Sequence, residues 1–576
     1  MDLRLIILVA VIASAIFLLV FGLVDCDNEE NSSVNSAVSS SEESSSEYQS
    51  PENIYYSYDN FTYQLIGDEY ELISIHDYEK KKSVMLAQIN GKRVARISEN
   101  LFADYFMMNE LYFEGSLSDW CSIEFLSKDS NPLTNEAKLF IDNVLISQLE
   151  ISGFNVGNFA FCDYIHLTKL TLGEGVNLVG DWAFSHCFNL KEVTVLSSDI
   201  VFGENAFNYN EELETLTLLS GVKGFGSDCF NATSKLAVVN YGGSADDWAS
   251  ISFANENSTP LKNAILYINN QPLTHLTLNC EIVNGYAFSY YNRLLSVIIG
   301  DNVQKIGKNA FFQAVNLMHM QIGEKVTEIQ NGAFERCYRL VEILNKSALN
   351  IEVGNSIDNG KIGENAICVY NGKQDYNSSL SEFNGVVYIE NEADTIAVNY
   401  LGSEGEITLM DRTTKIANYA FYDCDLLEKV AISQFVTDVG RCAFRDCNNL
   451  VSASFNCELT AVGNYAFENC KSLQEITFTG LIKVGAFAFQ NCSVLREIVL
   501  PKGLTHIGQS SFSHCVLLER VVLPSTLQEI SSAAFFDCEN LKYIQYGGNQ
   551  ASWNNVIIKS QNEHLLNATM MFFIEN

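Results

Sequence analysis

The sequence predicts a β-rich solenoid: a stack of small coils with short helical turns and one long parallel sheet. Three observations carry that prediction. A phenylalanine returns at Phe421, Phe444, Phe467, Phe489, Phe512 and Phe535, every 23 residues with one coil of 22. A cysteine follows three residues after each (Cys424, Cys447, Cys470, Cys492, Cys515 and Cys538), and a leucine three residues later (Leu427, Leu450, Leu473, Leu495, Leu518 and Leu541). The apolar share, 47% of 576 residues, is ample for a core that grows lengthwise. A unit this short cannot bury its own apolar face and must lean on its neighbours.

The spacing inside one coil assigns its parts. Leu495-x-x-Ile498-x-Leu500 alternates inward and outward, as a short strand of a parallel sheet does. Pro501-Lys502-Gly503 turns the chain, and Leu504-x-x-Ile507-Gly508 forms a second buried edge. Ser511-Phe512-x-x-Cys515-x-x-Leu518 then reads as a helical turn that returns the chain, with the phenylalanine at the centre of the coil. Degenerate coils precede this regular run, anchored by Phe102, Phe161, Phe184, Phe207 and Phe230, then by Phe288, Phe311, Phe334 and Ile367.

The pattern L-x-x-I-x-L-P-x-x-L-x-x-I-G-x-x-A-F-x-x-C-x-x-L resembles the BspA-like, or treponemal-type, leucine-rich repeat, over roughly residues 60 to 546. The concave-sheet asparagine of ordinary leucine-rich repeats is missing, as it is in this subclass. The resemblance implies a leucine-rich-repeat solenoid with its parallel sheet on the concave face. It also implies a bacterial cell-surface protein that adheres to host proteins or to other bacteria.

The N-terminus reads as an export device. Residues 3–24 form an apolar run in which Arg4 is the only charge, long enough to span a bilayer. Residues 1–26 are therefore a signal peptide or an apolar membrane-anchor helix. Cys26 after such a run resembles a lipoprotein signal, although Asp25 stands where that signal carries a small neutral residue. An uncleaved anchor, a lipidated Cys26 and a cleaved secreted form all place the repeats outside the cell, the first two at the extracellular face of the cell membrane. Residues 27–51, rich in Ser and Glu, cannot bury enough apolar surface to fold and read as a disordered tether.

Beyond the tether the expected order is an N-terminal β cap at 52–100, then a degenerate first coil with an aromatic–Trp module at 101–145. A leucine-rich block with a second module follows at 146–272, and a third block at 273–375. A hairpin-like insertion at 376–410 precedes the regular block at 411–546, and a third module closes the chain at 547–576. Each module pairs an aromatic residue with a tryptophan seven residues on: Phe113 with Trp120, Tyr241 with Trp248, Tyr546 with Trp553. The modules continue to KLFIDN, ILYINN and MFFIEN, and a new coil follows the first two. The third stands at the end of the sequence, which points to an unusual cap or a shortened gene. A spacer between blocks is the first reading of the module; a tryptophan that stacks on sugars or anchors a partner is the second.

Composition and motifs exclude several classes of chemistry. With 35 Lys plus Arg against 70 Asp plus Glu, the net charge of −35 repels phosphate backbones, so no nucleic-acid partner is expected. There is no HExxH, GxSxG, P-loop or GxGxxG motif, and no CxxC. Catalytic, cofactor-binding and metal residues are accordingly expected to be none. The sixteen cysteines read mostly as a ladder of reduced thiols, because Tyr164, Asn210, Tyr291 and Ala314 take the same repeat position. Cys442, five residues before Cys447, is the one pairing left open.

What remains is the outward face of the strands. One column runs Thr194, Thr217, Asn240, Ile298, Gln321, Leu344, Ala431, Ser454, Thr477, Val499, Val522 and Gln545. Beside it run Glu192, Thr215, Val238, Ser296, His319, Glu342, Lys429, Ser452, Glu475, Glu497, Arg520 and Tyr543. About 17 coils spaced about 4.8 Å apart give a surface about 80 Å long, suited to extended partners such as matrix proteins or glycans. The candidate contact residues are His319, Gln321, Glu475, Thr477, Glu497, Arg520, Tyr543 and Gln545.

Overall fold

A computed structural model describes residues 54–219, 221–372 and 378–574. The anchor segment, Cys26 and the tether lie outside the described residues. Antiparallel strands Tyr55–Tyr58, Phe61–Ile66 and Glu69–Ile75 open the stack, and parallel pairing begins at once, with Tyr70 opposite Val94 and Lys82 opposite Glu110. The strand edge that would expose the first coil's core is thus closed by hairpins.

The main ladder follows the predicted register: Lys169–Leu172, Glu192–Val195, Thr215–Leu218 and Val238–Tyr241 pair in parallel, residue for residue. Alternation decides the faces. Leu170, Val193, Leu216 and Val239 point inward and are buried, while the column residues point out. Each buried aliphatic contributes about 1.5–3 kcal/mol. A second ladder of two-residue strands, such as Leu178–Val179, Val201–Phe202 and Gly224–Phe225, runs along the other buried edge.

The return segment differs from the expected helical turn. Tyr465 and Asn469, which flank Phe467, both have φ of 61°, and the same pair of positive-φ positions recurs along the stack. The N–H of Phe467 donates to Ala488 in the next coil at 2.7 Å, as Phe444 donates to Ala466, so these groups serve the stack instead of closing a helix. The isoleucine–glycine pair of the motif has a steric origin. A Cβ on Gly463 would lie 2.6 Å from the carbonyl carbon of Gly440, so main chains of successive coils touch there.

The central phenylalanines form a buried ring ladder. Phe421, Phe444, Phe467, Phe489, Phe512 and Phe535 stack face to face with centroids 4.8–5.3 Å apart. Phe161, Phe184, Phe207 and Phe230 repeat the arrangement, as do Phe288, Phe311 and Phe334. Ile367 does not extend the latter ladder: it is only partly buried and packs sideways on a small separate cluster.

That cluster marks where the stack divides. One core runs from Phe61 to Ala366 and a second from Val386 to Leu565. Between them the antiparallel strands Val386–Glu390 and Thr395–Tyr400 are buried on both faces. Val386, Tyr388 and Ala397 face the second core, while Val387, Ile389, Ile396 and Val398 pack on Met318 and Val341. Two buried faces explain why this insertion reads as a continuous apolar run. Arg339 pins the same junction, donating from Nε to the carbonyl of Tyr419 at 3.1 Å and from Nη2 to that of Tyr422 at 2.8 Å.

Candidate functional site: a break in the main ladder

The coil from Phe467 to Phe489 is one residue short, and the main ladder opens beside it. Strands Ser452–Val462 and Glu475–Val484 lack the proline corner of later coils, so each runs straight from the main ladder into the second. The next strand, Glu497–Val499, stops before Pro501, which has no N–H to give. Lys483 still pairs with His506 in the second ladder, whereas Glu475–Phe478 and Glu497–Val499 form no ladder. Two strand edges therefore face each other unpaired among the described residues.

Over this break lies a hollow of about 900 Å³, lined among others by Glu475, Thr477, Phe478, Arg496, Glu497 and Val499. Its floor is apolar where Phe478 and the exposed Val499 reach it, and its rim is charged. Arg496 is paired to Glu519 at 3.2 Å and Glu497 to Arg520 on the adjacent strand. The arrangement offers main-chain hydrogen-bonding groups, an apolar patch and a mixed charged border, which are the elements of an extended-chain contact.

Of the eight candidate residues, Glu475, Thr477 and Glu497 line this hollow. Arg520, Tyr543 and Gln545 continue from it in register, Glu497 opposite Arg520 and Arg520 opposite Tyr543. His319 and Gln321 lie in the other core's sheet, apart from the hollow.

His319 is committed to a neighbour. Its Nδ1 lies 2.7 Å from Glu342 Oε2, and Glu342 also accepts from Ser378 Oγ at 2.6 Å and from Ser379 N and Oγ at 2.8 and 2.5 Å. Burial alone would raise the Glu342 carboxyl, but these four donors prevail and hold it at about 2. The strand Glu342–Asn345 is buried on both faces, so part of the outward column is covered by the chain itself. No sequence signal links Glu342 to Ser378: the contact is long-range, and Ser378 lies in the insertion outside the repeat.

The tryptophans of the first two modules are core fillers. Trp120 and Trp248 are fully buried, and each indole Nε1 donates to a carbonyl of the following coil, to Ala160 at 2.9 Å and Ala287 at 2.8 Å. Capping boxes at Ser116–Asp119 and Ser244–Asp247 hold their short helices. Trp553 is half-buried. All fifteen described cysteines are free, Cys442 and Cys447 included.

Among the described residues one cluster has metal-type ligands: Cys162, Asp163 and His186 bring ligand atoms within 4.8 Å of one another. The Lys128 ammonium, 3.0 Å from Asp163 Oδ2, already supplies the positive charge that this carboxylate calls for. Among the described residues no helix is long and apolar enough to cross a membrane.

Comparison with known proteins agrees with the repeat. The family described as BspA type Leucine rich repeat region matches residues 136–259, 264–364 and 414–542. No curated protein matches. Among solved structures, a leucine rich cell surface protein from Faecalibacterium prausnitzii is 19% identical, over 88% of this chain and 98% of that chain, with a TM-score of 0.30. A leucine-rich repeat protein from Bacteroides ovatus is 15% identical, over 90% of this chain and 99% of that one, with a TM-score of 0.31. One from T. pallidum is 23% identical, over 34% of this chain and 99% of that one, with a TM-score of 0.28. The family's repeats span more than half of the residues, and the chain belongs to the BspA-type leucine-rich repeat family.

Proposed function

We propose that this is a cell-surface binding protein of the adhesin type, which meets extracellular proteins or glycans of a host or of other microbes through its main sheet. The N-terminal segment holds it at the extracellular face of the membrane, as a span or through a lipid on Cys26. The observation that carries the reading is the hollow at Glu475, Thr477, Glu497 and Val499, where outward side chains and two unpaired strand edges share one surface. Tyr543 and Gln545 extend that surface along the register. The family resemblance supports adhesion, and no side chain is assigned a catalytic role.

The test is saturable binding of the unit 54–576 to matrix proteins, mucins and bacterial surfaces. A Thr477→Arg/Val499→Arg variant should bind at least about tenfold more weakly with unchanged melting, since both positions are exposed. Absence of saturable binding to all three classes ends the adhesin reading. The second reading is a structural or self-associating cell-envelope protein without a dedicated ligand.

A further inference from the structure

Along the main sheet a main-chain bond recurs from coil to coil, just ahead of the strand. Gln474 N donates to the carbonyl of Val451 at 2.9 Å, Glu519 N to that of Arg496 at 2.8 Å and Lys542 N to that of Glu519 at 3.0 Å. The next residue shares the same carbonyl, as Glu475 N does with Val451 and Arg520 N with Arg496. Between Gln474 and Arg496 the bond is missing: among the described residues the Gln474 carbonyl accepts from neither Arg496 N nor Glu497 N. Closing it would set Glu475 beside Glu497, two carboxylates at the same place on successive strands, which a ladder disfavours. The hollow thus presents a main-chain acceptor and two main-chain donors that the chain itself leaves unused.

The side chains over this row have a definite chemistry. Glu475 is exposed, and its carboxylate makes no ion pair among the described residues. The other charges of the rim are already matched, Arg496 by Glu519 and Glu497 by Arg520. One negative charge is left over, on a chain whose net charge of −35 already draws in cations. Val499, 48% exposed, supplies an apolar contact two residues further along on the next strand. Side chains i and i+2 of an extended segment, about 7 Å apart on one face, meet Glu475 and Val499 together.

A sugar ring finds less to hold. Phe478 is the one aromatic residue lining the hollow. It stacks on Phe455 of the preceding coil, with centroids 5.4 Å apart, and meets Phe489 of the following coil edge-on at 6.4 Å. Its faces are therefore taken up by the core, and no platform remains for a sugar. Main-chain partners in a row, a lone carboxylate and an aliphatic contact match a polypeptide instead.

We propose that the hollow seats an extended segment of a protein partner, with a lysine or arginine on Glu475 and an apolar side chain two residues away on Val499. The segment gives an N–H to the Gln474 carbonyl and a carbonyl to the N–H of Arg496 or Glu497. This rests on the adhesin reading and narrows its ligand to polypeptide. The probe is a capped, dye-labelled heptapeptide, Thr-Val-Thr-Lys-Thr-Val-Thr, titrated by fluorescence anisotropy into the full chain in mild detergent. A second peptide carries Glu in place of its Lys. Wild type should prefer the lysine peptide, and Glu475→Lys should reverse the preference. Glu475→Gln should weaken the lysine peptide about tenfold with unchanged melting, whereas Glu99→Gln, an exposed carboxylate beside the first core, should leave it unaltered. No peptide binding, equal binding of the two peptides, or equal losses in Glu475→Gln and Glu99→Gln overturns the proposal. Neutral mucin oligosaccharides that bind wild type and are lost with Glu475→Gln would make the hollow a glycan site and overturn it as well. Saturable binding to matrix proteins, mucins or bacterial surfaces without peptide binding leaves the adhesin reading standing and ends only this inference.

Discussion

Cys470 donates its thiol to the main-chain carbonyl of Phe444, 3.1 Å away in the preceding coil. Cys447, Cys492, Cys515 and Cys538 do the same to Phe421, Phe467, Phe489 and Phe512. Asn210 takes the role with its amide, 3.0 Å from the carbonyl of Phe184. Where Cys or Asn fills this position its side chain is thus a buried donor to the preceding coil, and burial raises these thiols so that they stay protonated. Cys470→Ser should keep the bond, while Cys470→Ala should lose about 0.5–1.5 kcal/mol more than Ser at this site. Urea denaturation of the two variants checks the order; equal stability, or Ser below Ala, contradicts it.

Phe467 sits between Phe444 and Phe489, at centroid distances of 4.9 and 5.3 Å, and is fully buried. Phe467→Ala leaves a cavity in the middle of the ladder and should cost about 3–5 kcal/mol. Because each coil touches only its neighbours, the loss should stay local. Hydrogen exchange should speed up in the coils around 444–490 and remain unchanged at Phe184 and Phe207, which belong to the other core. Uniform acceleration along the whole chain contradicts the nearest-neighbour picture.

The repeat was legible because one requirement, a phenylalanine at the centre of each coil, is imposed again at every period. The inward positions at Leu495, Ile498 and Leu500 follow from alternation and are all buried as expected. The candidate surface was legible only as a column. Glu475 and Thr477 look no different in sequence from Ser452 and Ser454, and the hollow beside them arises from a coil one residue short. Legible signs of it were that coil length and the missing proline corner. His319 misled for a different reason: its partner Glu342 is an adjacent column residue, but the serines that cover the pair come from an insertion outside the repeat.

Glu342 makes the covering of that column pH-dependent. Its carboxyl titrates at about 2 in the folded chain against 4.5 when free. A lowered folded value means that its stabilisation is complete above about 4.5 and is lost as pH falls towards 2. The contribution is on the order of 1–3 kcal/mol. Between pH 5 and pH 3 the segment around Ser378 and Ser379 should gain protease sensitivity, and Glu342→Gln should show that sensitivity already at pH 7. Limited proteolysis reads both; a variant protected at pH 7 contradicts the assignment.

Arg339 bridges the two cores. It is buried, and its guanidinium reaches Asn316 in its own stack and the carbonyls of Tyr419 and Tyr422 in the other. Tyr338 stacks on Tyr419 beside it, with centroids 4.2 Å apart. Burial pulls the guanidinium down to about 10, yet it stays charged at neutral pH, and a charged donor to carbonyl oxygen is worth about 1.5–3 kcal/mol. Arg339→Met keeps the apolar stem and removes the fork. The first core, Phe61 to Ala366, and the second, Val386 to Leu565, should then lose their shared transition and unfold in urea in two steps. Arg339→Lys should behave nearly as Met does, because a single ammonium cannot reach the three oxygens the fork engages. One sharp transition, unmoved in both variants, would place the coupling in the Met318–Val341 cluster instead.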